Sequence, residues 1–173
     1  MRSDFRPSGA RLRCGVALAV LALVPALARY ACAQSDDAAL KAAYVYNIAQ
    51  FTSWPAAAPA ARPLTVCVSG GHALGQSLRK LQGKPVSGRP LAVLEAGPGV
   101  QCDVAVLRGG GPRPAELGNG ILAIVDEPKN GYAGAVALIE EDQHLRFDID
   151  TAEAARAGLH FSSRLLRLAR NVR

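Results

Sequence analysis

The chain has 173 residues, half of them apolar and a fifth charged, with a formal net charge of +6; that length suits one ordinary domain around a single core. The positive balance sits mostly at the front, because residues 1–33 hold five Arg and one Asp and so carry +4 of it. The body that remains has no concentrated basic stripe with interleaved aromatics, which excludes nucleic acid as an expected partner.

Arg2, Arg6, Arg11 and Arg13 precede the apolar run 15–24, which is too short to span a membrane and suits the core of a secretory signal peptide. Small residues at Ala26/Ala28 and at Ala31/Ala33 fit A-x-A cleavage, and a cut after Ala33 opens the mature chain at Gln34. Residues 1–33 are therefore expected to be a signal peptide and 34–173 one exported domain, periplasmic, with no membrane insertion after cleavage. Cys32 leaves with the leader, and Arg29-Tyr30-Ala31 before it does not resemble a lipidation site.

Ser35 or Asp36 can cap a first helix in which Leu40, Tyr44, Ile48 and Phe51 share one face, with Lys41 and Gln50 off it. Trp54-Pro55 ends that helix, and an Ala/Pro linker over 56–63 leads to the apolar strand LTVCV. Gly70-Gly71 turns into a helix over 73–81, which Gly83 stops; a turn over 85–90 and the strand 91–94 complete a right-handed βαβ unit. Two more apolar strands follow, 102–107 and 121–125, separated by a Gly/Pro loop at 109–114 and a short helical piece. The four are expected to be buried, in a sheet covered on both sides.

Residues 135–140 and His144–Ile149 then alternate around Glu141-Asp142 as an antiparallel hairpin at a sheet edge. Asp150 with Glu153 reads as a capping box, Gly158 breaks the helix it opens, and a final amphipathic helix carries Leu165, Leu166, Leu168 and Ala169. The fold class is α/β: a single domain with a mostly parallel mixed sheet flanked by helices, and a C-terminal antiparallel hairpin and helix.

Chemistry is poorly supported by the residues. The stretch Gly70 to Ser77 imitates a phosphate-binding loop, but Gln76 stands where the lysine belongs. Asp126 and Glu127 follow a strand, yet neighbours on an extended chain point to opposite faces, so they read as a loop-solvating pair. His72, His144 and His160 lie on different kinds of element, and neither a CxxC nor zinc-type Cys/His spacing occurs. Ser162 and Ser163 lack the strained G-x-S-x-G turn of a serine nucleophile, and Ser162 serves better as a cap. No catalytic residue, metal or cofactor is expected.

Cys67 and Cys102 remain after cleavage in a compartment where disulfides persist. One bridge is the natural inference, and two buried thiols are the alternative. Geometry objects: Cys67 comes late in its strand and Cys102 begins another, so aligned parallel strands would hold them beyond the ~7 Å Cα limit, and stagger between the strands must close the gap.

The blocks KAAYVYNIAQFTSWP (41–55), LTVCV, GKPVSGRPLAV, QCDVAVL, ILAIVDE, HLRFDID and AGLHFSSRLLRLAR (157–170) together resemble the YfiR-like periplasmic repressor family across nearly the whole mature chain. The first and last blocks are the specific ones. The resemblance implies a regulator, not an enzyme, that binds the extracytoplasmic sensor domain of a membrane-bound diguanylate cyclase and so controls cyclic di-GMP, with a tendency to dimerise. It also implies redox sensitivity through Cys67 and Cys102. The chain departs from the pattern at Asp150, where Asn is common, at Gly134-Ala135 in place of a glycine pair, and in having no cysteine between Asp126 and Leu145. Alternation in the last block points Leu159 and Phe161 inward and His160 and Ser162 outward beside Arg164, which makes these three the expected partner-binding strip; ordinary helix entry and capping is the competing account. A small-ligand receptor reporting to another membrane sensor, such as a histidine kinase, is the second reading.

Overall fold

A computed structural model describes residues 24–55, 62–69, 73–109, 117–129 and 134–173. Residues from Asp37 to Arg173 form one compact unit, and of the unit up to Asp36 the described part is helical. Nearly all of the apolar run 15–24, the Gly70-Gly71-His72 turn, most of the 56–63 linker and most of the 109–114 loop lie outside the described residues. Among the described residues no helix is long and apolar enough to cross a membrane.

Helix α1 (Val24–Gln50) is followed by β1 (Thr52–Ser53), β2 (Leu64–Val68), α2 (Ala73–Arg79), β3 (Pro85–Val86), β4 (Arg89–Glu95), β5 (Val104–Arg108), β6 (Leu122–Asp126), β7 (Val136–Glu141) and β8 (His144–Ile149). Helix α3 (Thr151–Arg156), β9 (His160–Phe161), α4 (Ser163–Leu166) and β10 (Asn171–Val172) complete the order. Eight strands make one sheet in the order β10-β8-β7-β6-β5-β2-β4-β3, and β1 pairs with β9 separately. The interior strands β4, β2, β5, β6 and β7 run parallel, whereas β3–β4 and β7–β8 are antiparallel hairpins. The expected α/β class is the one observed.

The local signals explain most elements. Asp150 accepts from the Glu153 amide at 3.0 Å and starts α3, and Ser162 accepts from the Leu165 amide at 3.2 Å and starts α4. The β7–β8 turn places Asp142 and Gln143 at φ 49° and 61°, the left-handed pair of a type I′ hairpin. Ser87 and Gly88 do the same for β3–β4, so the expected turn over 85–90 is a complete hairpin.

Four expectations are corrected. Helix α1 does not begin at Ser35 or Asp36 but runs from Val24, because the Ala-rich stretch after Pro25 contains no breaker. Its buried face is also rotated: Leu40 is 47% exposed, while Lys41 is 4% and Ala38, Ala42, Val45, Ile48 and Ala49 are buried. Small residues let the helix lie close to the sheet, and Lys41 finds carboxylates waiting there. Strand β4 alternates between buried and open positions instead of being covered on both faces, since it lies near a sheet edge. The last apolar stretch is helical only to Leu166, and the chain then returns to the sheet as β10, leaving Leu168 exposed.

One large core lies between the sheet and its helices, with Val45 and Ile48 of α1, Leu78 of α2, Leu159 and Leu165 packed on Leu64, Val66, Val104, Leu122 and Ile124. Each fully buried Ile or Leu contributes about 1.5–3 kcal/mol to folding. On the opposite face, among the described residues, Ala105, Leu107 and Val125 form a second cluster with Leu117 and Ile121 against it. Leu117 and Ile121 come from the connection between β5 and β6.

Candidate functional site

The connection from β4 to β5 crosses the face of the sheet opposite the main core. Strands β4 and β5 lie on either side of β2, so the chain leaving Glu95 must cross β2 within residues 96–103 to enter Val104. The Ala96 amide donates to the Val68 carbonyl at 3.0 Å at one end of the crossing, and the Asp103 amide to the Thr65 carbonyl at 2.8 Å at the other. Leu64, Val66 and Val68 point into the main core, which leaves Thr65 and Cys67 facing the crossing segment.

Cys67 and Cys102 are disulfide-bonded with Cα atoms 5.7 Å apart. The expected stagger is not how they meet: β2 and β5 are aligned, with Cys67 opposite Ala105. Cys102 lies in the crossing segment stacked on β2, so the bond staples that segment to the face of the sheet.

Asp103 anchors the end of the same segment. Its buried carboxylate accepts from the Thr65 amide at 2.8 Å, from Arg62 at 2.6 Å and from Arg89 at 2.9 Å, which satisfies a charge that burial would otherwise penalise. Trp54 Nε1 donates to the Asp103 carbonyl at 3.3 Å. A groove of ≈ 720 Å³ opens beside this cluster, lined by Trp54, Pro55, Arg62, Cys102, Asn119 and Ile121 among others.

The strip 160–164 lies where α1 ends. Thr52 pairs with Phe161 and Ser53 with His160, and the Ser162 amide donates to the Phe51 carbonyl at 2.9 Å. The Arg164 guanidinium lies 6.0 Å from the centre of the Phe51 ring, within cation–π range. The two segments at opposite ends of the chain therefore form one surface, with His160 and Arg164 exposed on it. Leu159 is buried as expected, but Phe161 is only half-buried, and the Ser162 hydroxyl is committed to capping α4. His160 also borders a groove of ≈ 450 Å³ with Ala152, Ala155, Leu159, Phe161 and Leu166.

A third cluster was not foreseen. Lys41 Nζ lies 3.0 Å from Asp126 Oδ1, 3.2 Å from Glu127 Oε1 and 3.3 Å from Asp37 Oδ2. The Asp126 contact is an ion pair without an aligned hydrogen bond on that oxygen. Asp126 and Glu127 do not point apart, because Glu127 takes a left-handed backbone (φ 54°) that ends strand alternation. Gly109 makes room for the bend: a Cβ there would stand 2.6 Å from the Glu127 carbonyl oxygen.

Burial opposes the charge on Lys41, but Asp126, then Glu127 and Asp37, outweigh it and hold the ammonium above its ordinary value. The hydrogen bond from Lys41, against a smaller desolvation effect, holds the Glu127 carboxyl below its ordinary value. The sequence signal was a lone lysine beside the apolar stripe of α1, together with an acidic pair directly after a buried strand. Among the described residues no three His, Cys, Asp or Glu are grouped as a metal site, and His144 and His160 lie in different sheets.

The sequence profile of the YfiR/HmsC-like family matches residues 38–170. No curated protein matches the chain.

Proposed function

The chain belongs to the YfiR/HmsC-like family, and from that premise we propose that it is an exported, non-enzymatic repressor that binds the extracytoplasmic sensor domain of a membrane-bound diguanylate cyclase. Residues 1–33 are its signal peptide and 34–173 the mature periplasmic domain. His160 and Arg164 carry the partner contact, with Ser162 holding the strip in place, and the Cys67–Cys102 bond makes the contact responsive to redox state.

One observation supports the reading above the others. The β1–β9 pairing gathers the two most family-specific segments into a single exposed surface, with cationic Arg164 on the Phe51 ring and His160 opposite Ser53. A surface assembled from distant segments without catalytic geometry suits recognition better than turnover.

The test is a photo-crosslinker at residue 160 of the full chain expressed in its own host, with cyclic di-GMP measured in parallel. Crosslinking to a diguanylate cyclase and a rise in cyclic di-GMP on gene deletion are expected; unchanged cyclic di-GMP on deletion refutes the proposal. The groove beside Trp54 favours a second reading, a small-ligand receptor that reports to another membrane sensor such as a histidine kinase. In that case the crosslink goes to such a sensor instead.

A further inference from the structure

We propose that β10 is a displaceable strap over a strand-acceptor edge, and that the edge fits an extended segment of a partner protein bearing two basic side chains three residues apart. The two paired residues of β10, Asn171 and Val172, lie beyond the residues 38–170 that the family profile covers.

Strand β8 is a core strand whose Leu145, Phe147 and Ile149 are buried. Its outer backbone edge is closed piecemeal: Tyr44 Oη donates to the Leu145 carbonyl at 3.1 Å, the Arg170 amide to Phe147 at 2.9 Å and the Arg173 amide to Ile149 at 3.0 Å. Strand β10 pairs through two residues only, Asn171 with Asp148 and Val172 with Ile149. It brings almost no apolar burial, since Val172 is 48% exposed and Leu168 before it 66%.

Charge holds it instead. Arg170 forks onto Asp148 at 2.9 and 2.8 Å and reaches Glu141 at 2.8 Å, while Arg173 Nε donates to Asp150 at 3.1 Å. Those three carboxylates belong to β7, β8 and the cap of α3, so they stay behind when the strap lifts. They then form an acidic rim beside the bared carbonyls of Phe147 and Ile149. An incoming strand must supply backbone donors for the edge and cations where Arg170 and Arg173 stood. An element tied by exposed ion pairs and a few backbone bonds lies at the low end of local stability, and salt loosens it.

Two measurements on the full chain test this. In hydrogen exchange of the wild type, the amides of Thr151, Arg170 and Arg173 should exchange about 100-fold faster than those of residues 104–107, and faster again at high salt. A fluorescein-labelled peptide with the sequence of residues 168–173 should bind Arg170→Gln about tenfold more tightly than wild type. Adding Asp148→Asn, or replacing both peptide arginines by Glu, should abolish the gain. Strap amides as slow as those of β5, or a folded Arg170→Gln chain that takes up no peptide, overturn the proposal. Concentration-dependent dimerisation of Arg170→Gln in place of peptide uptake assigns the edge to a second copy and overturns the partner assignment. If Arg170→Gln does not fold, the exchange rates decide alone.

Discussion

Cys67 is bonded to Cys102 but stands opposite Ala105 in the sheet. The bond therefore links a strand to the segment stacked on it, and its loss should free the 96–103 crossing while leaving the strand pairing intact. Closing a loop with a sequence separation of 35 stabilises the fold by up to about 3.8 kcal/mol in the chain-entropy treatment, against a total of about 5–15 kcal/mol for such a domain. Reduction should lower the melting temperature and change the emission of Trp54, which is bonded to the same segment. Unchanged melting and emission in fully reduced protein, verified by thiol alkylation and intact mass, would count against a staple.

Removing one partner of the buried pair at Lys41 should cost far more than surface charges do. Lys41→Met leaves Asp126 buried without a counter-ion, and denaturant unfolding should show a loss of about 3–5 kcal/mol. Lys41→Met with Asp126→Leu should recover much of it. Glu127→Gln, at a half-exposed site, should cost under about 1 kcal/mol.

Acid should loosen the fold through carboxylates held below their ordinary values. Glu127 is lowered chiefly by the hydrogen bond from Lys41, and Asp148 chiefly by that from Arg170. A depressed folded-state value means that each contributes stability in full above its unfolded value, about 4, and loses it as pH falls through the lower folded value. The urea midpoint should thus be flat with respect to these groups from neutrality to about pH 5, then decline. Glu127→Gln with Asp148→Asn should flatten the acid limb, and an identical limb in that variant would rule these groups out.

The strip at the end of the chain separates into contact and scaffold. Ser162→Ala removes a helix cap and should cost about 1 kcal/mol in unfolding experiments. His160→Glu with Arg164→Glu should lower the melting temperature by no more than about 4 °C, the cost of the exposed cation–π contact to Phe51, while weakening a partner recovered through the residue-160 crosslinker. Loss of folding in the double variant would mark the pair as structural.

The β7–β8 turn can be improved. Gln143 holds φ 61°, a conformation costing a non-glycine residue about 1–2 kcal/mol. Gln143→Gly should raise stability by about 1 kcal/mol, read from the denaturant midpoint.

Strands β2, β5, β6 and the β7–β8 hairpin were legible from short runs of apolar residues and their alternation, and the caps at Asp150 and Ser162 from single side chains beside helix starts. These are local signals, set by neighbours a few residues away. The residues alone also singled out Cys67 and Cys102 as the pair to consider when residues 1–33 are read as a leader. What the sequence could not determine was the route by which the two meet. That route depends on β2 lying between β4 and β5, a matter of strand order that no run of neighbouring residues encodes. The same holds for Lys41: helical periodicity ranks an apolar stripe containing Leu40 above one containing a lysine, and the ranking reverses only when Asp126 and Glu127 of a distant strand face the helix. The two-residue strand β10 carries no periodicity at all, and its placement rests on ion pairs to carboxylates more than 20 positions away, which no local pattern encodes.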